Sequence, residues 1–191
     1  MNTDSISSYI EKNLSEKRKK HIEGVRKTAV CLAERYGVDR EKADTAALFH
    51  DMFRGVSADV LNYYVKHLGL DSKYLDNVNL AHGKIAAIIM ERDYGVKDRD
   101  IINAVSYHTT GRAAMSTLEK VIYIADAIEP GRSYPGVDEL RKAAGEDLDR
   151  ACLLSLTRTI DYVKSQGRFL DEDTLRARDY LEANIVRGET E

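Results

Sequence analysis

Apolar residues recur every three or four positions along most of this chain, and that period is typical of α-helices packed on one face. Between Glu16 and Tyr36 a single helical face carries the apolar side chains, and Gly37 follows in a C-terminal capping position. The chain has only two prolines, and no segment alternates convincingly between apolar and polar residues. The sequence therefore predicts an all-α fold.

The same period predicts nine helices joined by short loops, with no internal repeat and no low-complexity linker. Ser116 and Glu119 have the spacing of a capping box at the start of the sixth helix. The predicted helices cover about 16–36, 39–50, 57–68, 78–94, 98–108, 116–129, 137–144 and 147–164, and a last one follows Asp173. We expect one compact domain over residues 1–191, with a core over about 16–130 and a C-terminal helical part over about 131–187.

Composition excludes several classes of protein. The net charge is −3, and acidic and basic residues are interleaved, so we expect no nucleic-acid partner. The N-terminus lacks the apolar core of a signal peptide, and the longest apolar run, IAAIIM, is too short to span a bilayer. We therefore expect a cytoplasmic protein with no membrane partner. Cys31 and Cys152 are interpreted as reduced core thiols, and the basic run 17–20 as a solvated helix start.

Four of the five histidines extend the inward apolar stripes of four different helices, and an aspartate does the same on a fifth. Another aspartate directly follows one of these histidines. The residues concerned are His21, His50, Asp51, His82, His108 and Asp126. A lone histidine on an apolar face is more often a hydrogen-bonded core residue than a ligand. Five helices that all aim such groups inward would form a costly polar core unless a metal gathers them. His67, in a surface-like context, joins no such pattern.

The number of candidate ligands indicates two metal ions. Four imidazoles and two carboxylates are too many for one tetrahedral structural site. Asp51 can bridge two cations, which leaves each ion about three protein ligands and open positions for water and substrate. Nitrogen and oxygen ligands without cysteine suit iron, manganese, cobalt or zinc. Two such cations clamp a phosphate and convert water to hydroxide near neutral pH. We expect Asp51, His82 and His108 to act directly in catalysis.

Basic and hydroxyl side chains follow the candidate ligands at three separate places in the chain. Arg54 lies one turn beyond His50, and Arg132 belongs to a Pro-Gly-Arg turn after the helix of Asp126. Thr110, Gly111 and Arg112 come directly after His108. Surface arginines are common, so any one of them alone means little. Together they predict a pocket for a polyphosphate.

The order of the candidate ligands resembles the HD phosphohydrolase superfamily in its two-metal form. The segments HDMFR, HTTGR, ADAIEPGR followed by YPGV, and GRFLDEDTLRAR are similar to the YqeK family of symmetrical dinucleoside tetraphosphatases. The resemblance covers roughly residues 16 to 187. It implies a compact all-helical HD-domain bundle with a C-terminal extension that completes the nucleotide site. It also implies a di-iron centre and cleavage of diadenosine tetraphosphate into two ADP.

The resemblance also implies roles for particular positions. The ligands of one metal would be His21, His50, Asp51 and Asp126; those of the other would be His82 and His108, with Asp51 as the bridge. The positions near the nucleotide would be Thr109, Arg132, Thr174, Arg176 and Arg178. The chain departs from the usual family pattern at three places. Arg54 must supply a cation usually given by lysine, Lys84 replaces a proline, and Asp179 replaces an asparagine.

Other functions stay open at this point. A nucleotide-sensing module could bind the same ligand without turning it over, although the intact ligand set favours a hydrolase. An HD phosphatase could instead act on nucleoside monophosphates or a cyclic dinucleotide, but the C-terminal TLRAR segment favours a larger nucleotide. The sequence also leaves a homodimer open.

Overall fold

The structure, a computed structural model, describes residues 3–188 and confirms the all-α prediction. Within these residues the chain forms ten α-helices and one short 3₁₀ helix, Ser72–Tyr74, with no strand. The α-helices are α1 (Thr3–Asn13), α2 (Glu16–Tyr36), α3 (Arg40–Phe49), α4 (Ala58–His67), α5 (Val78–Asp93), α6 (Arg99–Tyr107), α7 (Thr117–Ile128), α8 (Val137–Glu146), α9 (Leu148–Ser165) and α10 (Glu172–Gly188). No helix in this part of the chain is long and apolar enough to cross a membrane.

Local capping explains where these helices begin. Six of the ten described α-helices follow a serine or aspartate whose side chain accepts a hydrogen bond from a backbone N–H of the first turn. These capping residues are Ser15, Asp39, Ser57, Asp98, Ser116 and Asp147. The predicted capping box is confirmed, because Glu119 in turn accepts from the backbone N–H of Ser116. Gly37, with φ of 69°, ends α2 in the left-handed conformation.

Helix α7 lies at the centre of the bundle. It packs against α2, α3, α6, α8 and α9. Its inward residues Val121, Ile122, Ile124 and Ala125 are completely buried. A helix surrounded on several sides must be apolar around much of its circumference, and α7 meets that requirement. Any polar side chain that α7 directs between its neighbours is therefore held in a fixed position.

Two features differ from the sequence-based expectation. Helix α1 was not predicted, because a short segment with few apolar residues gives a weak periodic signal; its Ile6 and Ile10 are nevertheless buried in the core. The interpretation of Cys31 as a core thiol is wrong, since its side chain is exposed. Cys31 lies beside the buried stripe of α2 rather than within it. Cys152 is buried, as expected.

The last helix packs on the loop that follows α6. A Cβ added at Gly111 would lie 3.2 Å from Cβ of Ala177 in α10, and Gly111 itself has φ of +63°. Both the close approach and the left-handed backbone favour glycine at this position. Lys73 forms an ion pair of 3.0 Å with the buried Asp171, just before α10 begins. These contacts fix the start of α10 beside residues 109–112. The division of the chain near residue 130 stays a prediction.

Candidate metal centre

Five helices bring the six candidate ligands to one place. His21 lies in α2, His82 in α5 and Asp126 in α7, whereas His50 and His108 directly follow the ends of α3 and α6. All four histidines and Asp51 are buried, and Asp126 is partly exposed. The structure therefore brings together every residue that the sequence assigned to the metal site. It leaves His67 apart on the surface, where the ring stacks on Tyr63.

The carboxylate of Asp51 lies between two pairs of histidines. Its Oδ2 atom is 3.4 Å from Nε2 of His21 and 3.6 Å from Nε2 of His50. Its Oδ1 atom is 3.1 Å from Nε2 of His82 and 4.0 Å from Nε2 of His108. One carboxylate thus presents a different oxygen to each pair. Two groups of donor atoms, each compact enough to hold one metal ion, share this residue.

The second carboxylate lies on one side of this arrangement. Oδ1 of Asp126 is 3.1 Å from Nε2 of His21. Since His21 also faces Oδ2 of Asp51, two carboxylates meet at the same imidazole. The centre consequently has two unlike ends, one with His21, His50 and Asp126, and the other with His82 and His108.

Each histidine uses its Nδ1 atom for a hydrogen bond that directs Nε2 into the centre. Three of them donate from Nδ1 to a backbone carbonyl three or four residues earlier in the chain. The bonded pairs are His50 with Ala47 (2.6 Å), His82 with Val78 (3.1 Å) and His108 with Val105 (2.7 Å). A carbonyl can only accept, so Nδ1 of each of these three rings carries a proton, and in the neutral form of the ring the lone pair is on Nε2. This tautomer is the one that metal-ligating histidines adopt when a partner fixes the outer nitrogen.

The Nε2 atoms also approach one another closely. His21 and His50 are 3.3 Å apart at Nε2, and His82 and His108 are 3.0 Å apart. Two lone pairs facing each other at this distance repel, whereas a cation beside both nitrogens would accept both. The donor set therefore fits a divalent metal ion, because the four rings are buried and their Nε2 atoms converge beside two carboxylates.

The pKa values in the centre follow from burial and from the two carboxylates. Burial alone would lower the pKa of His21, but its hydrogen bonds to Asp126 and Asp51 raise it to about 9. Burial and the neighbouring His82 and His50 lower the pKa of His108 to about 3, so this ring is neutral at physiological pH. The carboxylates thus create a negative potential that favours a cation beside His21, and the opposite end offers the neutral imidazole of His108.

Glu129 is a site residue that sequence reasoning missed. Its Oε1 atom lies 3.1 Å from Nδ1 of His21, so a carboxylate orients this ring as carbonyls orient the other three. The side chain is accommodated by two glycines: a Cβ at Gly24 would lie 2.6 Å from Oε2 of Glu129, and one at Gly131 would lie 3.0 Å away. The backbone N–H of Gly131 also donates to Oε2 at 2.5 Å. The sequence signal that could have identified Glu129 is the segment EPGR, to which this residue belongs.

Three arginines surround the carboxylates of the centre. Arg132 donates to Asp126, and Arg18 donates to Asp51. The interpretation of the 17–20 run as a solvated helix start is therefore wrong for Arg18, which is less than a third exposed. Arg54 is a third cation here: burial lowers its pKa, Asp51 and Asp126 oppose this change, and Arg18 and Arg132 add to it. These guanidinium groups form a cationic rim beside the candidate ligands.

In the loop after α6, one hydroxyl lies at the centre, and two other side chains form hydrogen bonds that stabilise the loop. Oγ1 of Thr109 lies 3.2 Å from Nε2 of His108. The hydroxyl of the buried Thr110 donates to the carbonyl of Gly111 at 2.8 Å. The guanidinium of Arg112 donates to both carboxylate oxygens of the buried Glu119, at 2.7 and 2.9 Å. Arg112 thus joins this loop to the start of α7.

The C-terminal candidates have different surroundings. Thr174 is buried in the first turn of α10, three residues before Ala177, which packs on Gly111. Arg176 is exposed and pairs with Glu172, whereas Arg178 is about a third exposed and pairs with Asp179. The structure brings α10 against the loop after His108 but shows no contact between these two arginines and the candidate ligands. Their role in nucleotide binding stays a prediction.

Comparison with known proteins identifies the family. The HD domain family matches residues 18–131, a span that includes all six candidate ligands. The chain belongs to the HD domain family. A protein of Bacillus subtilis named "Bis(5'-nucleosyl)-tetraphosphatase, symmetrical" is 38% identical over 95% of this chain and 98% of its own length. A protein of Halalkalibacterium halodurans with the same name is 35% identical over 95% of this chain and 97% of its own.

A solved HD-domain structure is also closely similar. It is the crystal structure of a "predicted HD superfamily hydrolase involved in NAD metabolism" from Clostridium acetobutylicum. The two chains are 45% identical and superpose with a TM-score of 0.91, which covers 96% of this chain and 98% of the other. The expected HD fold and the resemblance to symmetrical dinucleoside tetraphosphatases are therefore confirmed.

The contact between Arg112 and Glu119 generates a prediction about stability. We expect Arg112→Ala to lower the free energy of unfolding by about 2–3 kcal/mol, because it leaves a buried carboxylate without its cationic partner while water still reaches the site. Urea denaturation measures this change. Arg92→Ala, which removes an exposed pair with Asp93, is the matched control and should change stability by less than about 0.5 kcal/mol. Unchanged stability together with a raised KM for a nucleotide substrate would instead make Arg112 a phosphate contact.

Proposed function

We propose that this HD-domain protein hydrolyses diadenosine tetraphosphate symmetrically into two ADP. The observation that carries the proposal is the carboxylate of Asp51, which presents one oxygen to His21 and His50 and the other to His82 and His108. The names of the Bacillus subtilis and Halalkalibacterium halodurans relatives, which match almost the full length of the chain, support the substrate.

We propose that two divalent metal ions bind at the two ends of the centre, with Asp51 as the bridge. The first set of ligands would be His21, His50, Asp51 and Asp126, and the second would be Asp51, His82 and His108. The donor set and the Nδ1 hydrogen bonds of His50, His82 and His108 support this assignment. Iron is our proposed metal, and manganese, cobalt and zinc suit the same ligands. When bound, such ions supply an ionised water as nucleophile and positive charge for the phosphoryl oxygens.

The chain's own residues would bind and orient the tetraphosphate. Arg18, Arg54 and Arg132 surround the two carboxylates, and each guanidinium can donate two parallel hydrogen bonds to phosphate oxygens. Thr109 adds a hydroxyl at the end of the centre formed by His82 and His108. Because the phosphoryl-transfer transition state spreads charge over several oxygens, cationic side chains held in place lower its free energy.

The position of these groups supports a cut in the middle of the tetraphosphate. We propose that one nucleoside diphosphate half is held by Thr109, Arg132 and the segment from Thr174 to Arg178, so that its β-phosphorus lies at the metal centre. The other nucleoside diphosphate is then the leaving group. Diadenosine triphosphate should be a poorer substrate, since its leaving group would be the less stabilised AMP.

Two other functions are compatible with the sequence. A nucleotide-sensing module needs no open ligand positions, whereas this chain keeps four buried histidines and two carboxylates at the centre. A phosphatase for another nucleotide would use the same centre and differ in the pocket around it, and the names of the relatives favour the dinucleotide. The cytoplasmic location and a homodimer stay predictions.

The bridging role of Asp51 predicts the effect of its removal. We expect Asp51→Ala to reduce the metal content towards zero and to lower turnover at least 100-fold, because both ions lose a ligand and both histidine pairs lose their anion. Metal analysis of anaerobically purified protein and a turnover assay measure the two effects. Asp138→Ala, on the exposed surface of α8, is the control. Near-normal activity with full metal content in Asp51→Ala would contradict the two-metal proposal.

The products test the proposed reaction itself. Diadenosine tetraphosphate should give ADP as its only nucleotide product, and solvent ¹⁸O should enter one of the two ADP molecules. The label follows from attack of a water-derived oxygen on one β-phosphorus while the other diphosphate leaves intact. Chromatography and mass spectrometry of early time points measure both results. ATP and AMP as primary products would contradict the proposed position of the cut, and no hydrolysis at all would contradict the proposed activity.

A further inference from the structure

A large groove opens beside one end of the centre. It has a volume of about 1060 Å³ and lies between the N-terminal half of α2 and the loop of residues 129–134. His21 and Glu129 line it, so the groove reaches the end of the centre that contains Asp126. Its volume slightly exceeds the range typical of sites that enclose a small ligand, roughly 300–1,000 Å³, and is large enough for a nucleotide.

The wall of the groove formed by α2 is net cationic, because four lysines and one arginine line it against two glutamates, Glu16 and Glu23. Lys17, Lys20 and Lys27 line it at positions spaced by three and seven residues, which lie on one face of a helix. Lys27 is paired with Glu23 at 3.2 Å. Lys17 and Lys20 form no ion pair with any residue of the described part of the chain, 3–188. Their ammonium groups therefore remain available to an anion.

The opposite wall carries an aromatic ring. Tyr134 lines the groove with 40% of its surface exposed. Its hydroxyl donates to the carbonyl of Ala127 at 2.8 Å, and this bond restricts the orientation of the ring. Proteins that bind nucleotides without base specificity combine two kinds of group: an exposed aromatic ring stacks on the base, and cationic side chains contact the phosphates.

Apart from Arg132, the groove and the previously described half-site lie at opposite ends of the centre. Thr109 and the loop that packs on α10 lie at the end formed by His82 and His108. No residue of the range 108–112 or 171–178 lines the groove. Arg132 belongs to both the groove and the half-site, because it lines the groove and pairs with Asp126 at the centre. A substrate with two identical nucleotide halves and a central tetraphosphate would extend from the centre in both directions.

We propose that this groove is a second nucleotide subsite, which binds the nucleoside diphosphate half that leaves. This inference rests on the proposed function, since it concerns the second half of the same substrate. Lys17 and Lys20 bind the phosphates of this half, Tyr134 stacks on its base, and Arg132 lies at the junction with the centre. Base recognition at this subsite comes from stacking and therefore tolerates different bases.

Kinetics with two substrates separate the base contact from the phosphate contacts. Adenosine 5'-tetraphosphate has the same phosphates as diadenosine tetraphosphate but lacks one nucleoside. Tyr134→Ala should lower kcat/KM for the dinucleotide about 5- to 20-fold more than for adenosine tetraphosphate, because only the dinucleotide has a second base. Tyr134→Phe should have a smaller effect, since it keeps the ring. The double variant with Lys17→Ala and Lys20→Ala should lower kcat/KM for both substrates by about 10-fold or more.

Control variants distinguish the groove from the rest of the surface. Tyr162→Ala removes a tyrosine that is 57% exposed on α9, and Lys142→Ala removes an exposed lysine on α8. Neither residue lines the groove, and both variants should keep the kinetic constants of the unmodified protein. Circular dichroism spectra of all variants establish that they are folded.

Binding of ADP tests the subsite independently of turnover. Calorimetric titration of the metal-loaded protein should give two ADP molecules per chain, and Tyr134→Ala should weaken one of the two sites about 5- to 20-fold. One ADP per chain, with an affinity that Tyr134→Ala leaves unaltered, would overturn the second subsite.

The kinetic assays and the ADP titration distinguish a failure of the proposed function from a failure of the proposed subsite. If the unmodified protein does not hydrolyse diadenosine tetraphosphate, the proposed function fails, and the ADP titration still decides whether the groove binds a nucleotide. If the dinucleotide is hydrolysed while the Tyr134 and lysine variants behave like the controls, the proposed function stands and the subsite is overturned.

Discussion

The carboxylate of Asp51 presents one oxygen to His21 and His50 and the other to His82 and His108, and the rest of the centre is arranged around this contact. A buried carboxylate among buried imidazoles is unfavourable in an apolar core unless a cation or proton compensates the charge. The same residue explains why the centre can hold two ions with an incomplete protein ligand set at each. Open positions for water and phosphate follow from that incompleteness.

The fold holds the four histidines at the positions that their contact with the Asp51 carboxylate requires. The ligands come from five helices, so their convergence depends on helix packing around the central α7 and on helix ends that fall at fixed residues. His50 and His108 follow directly after the last residues of α3 and α6, and their rings donate to carbonyls of the last turn. Glu129 orients His21 only because Gly24 and Gly131 have no side chain at the point of contact. Local structure thus fixes the outer nitrogen of each ring before any metal binds.

The sequence predicted every described α-helix except α1, and it predicted that six candidate ligands face inward. Helical periodicity determines which side chains face inward, and a buried histidine stands out within an apolar stripe. It did not predict the pairing of Arg18 with Asp51, since those residues are 33 positions apart and Arg18 stands within a basic run. The carboxylate of Glu129 was missed for a similar reason: its contact with His21 spans 108 positions. Arg112 was expected to bind phosphate, yet its guanidinium is bound to Glu119, and only the packing of α7 against the loop reveals this contact.

Anomalous X-ray diffraction from crystals of the metal-loaded protein tests the central claim most directly, because it locates metal ions independently of activity. The account predicts two anomalous peaks on opposite sides of the Asp51 carboxylate. One peak should lie within bonding distance of Nε2 of His21 and His50, and the other within bonding distance of Nε2 of His82 and His108, at roughly 2.0–2.2 Å. A single peak, or two peaks of which one lies away from Asp51, would contradict the shared carboxylate and the two-metal centre built on it.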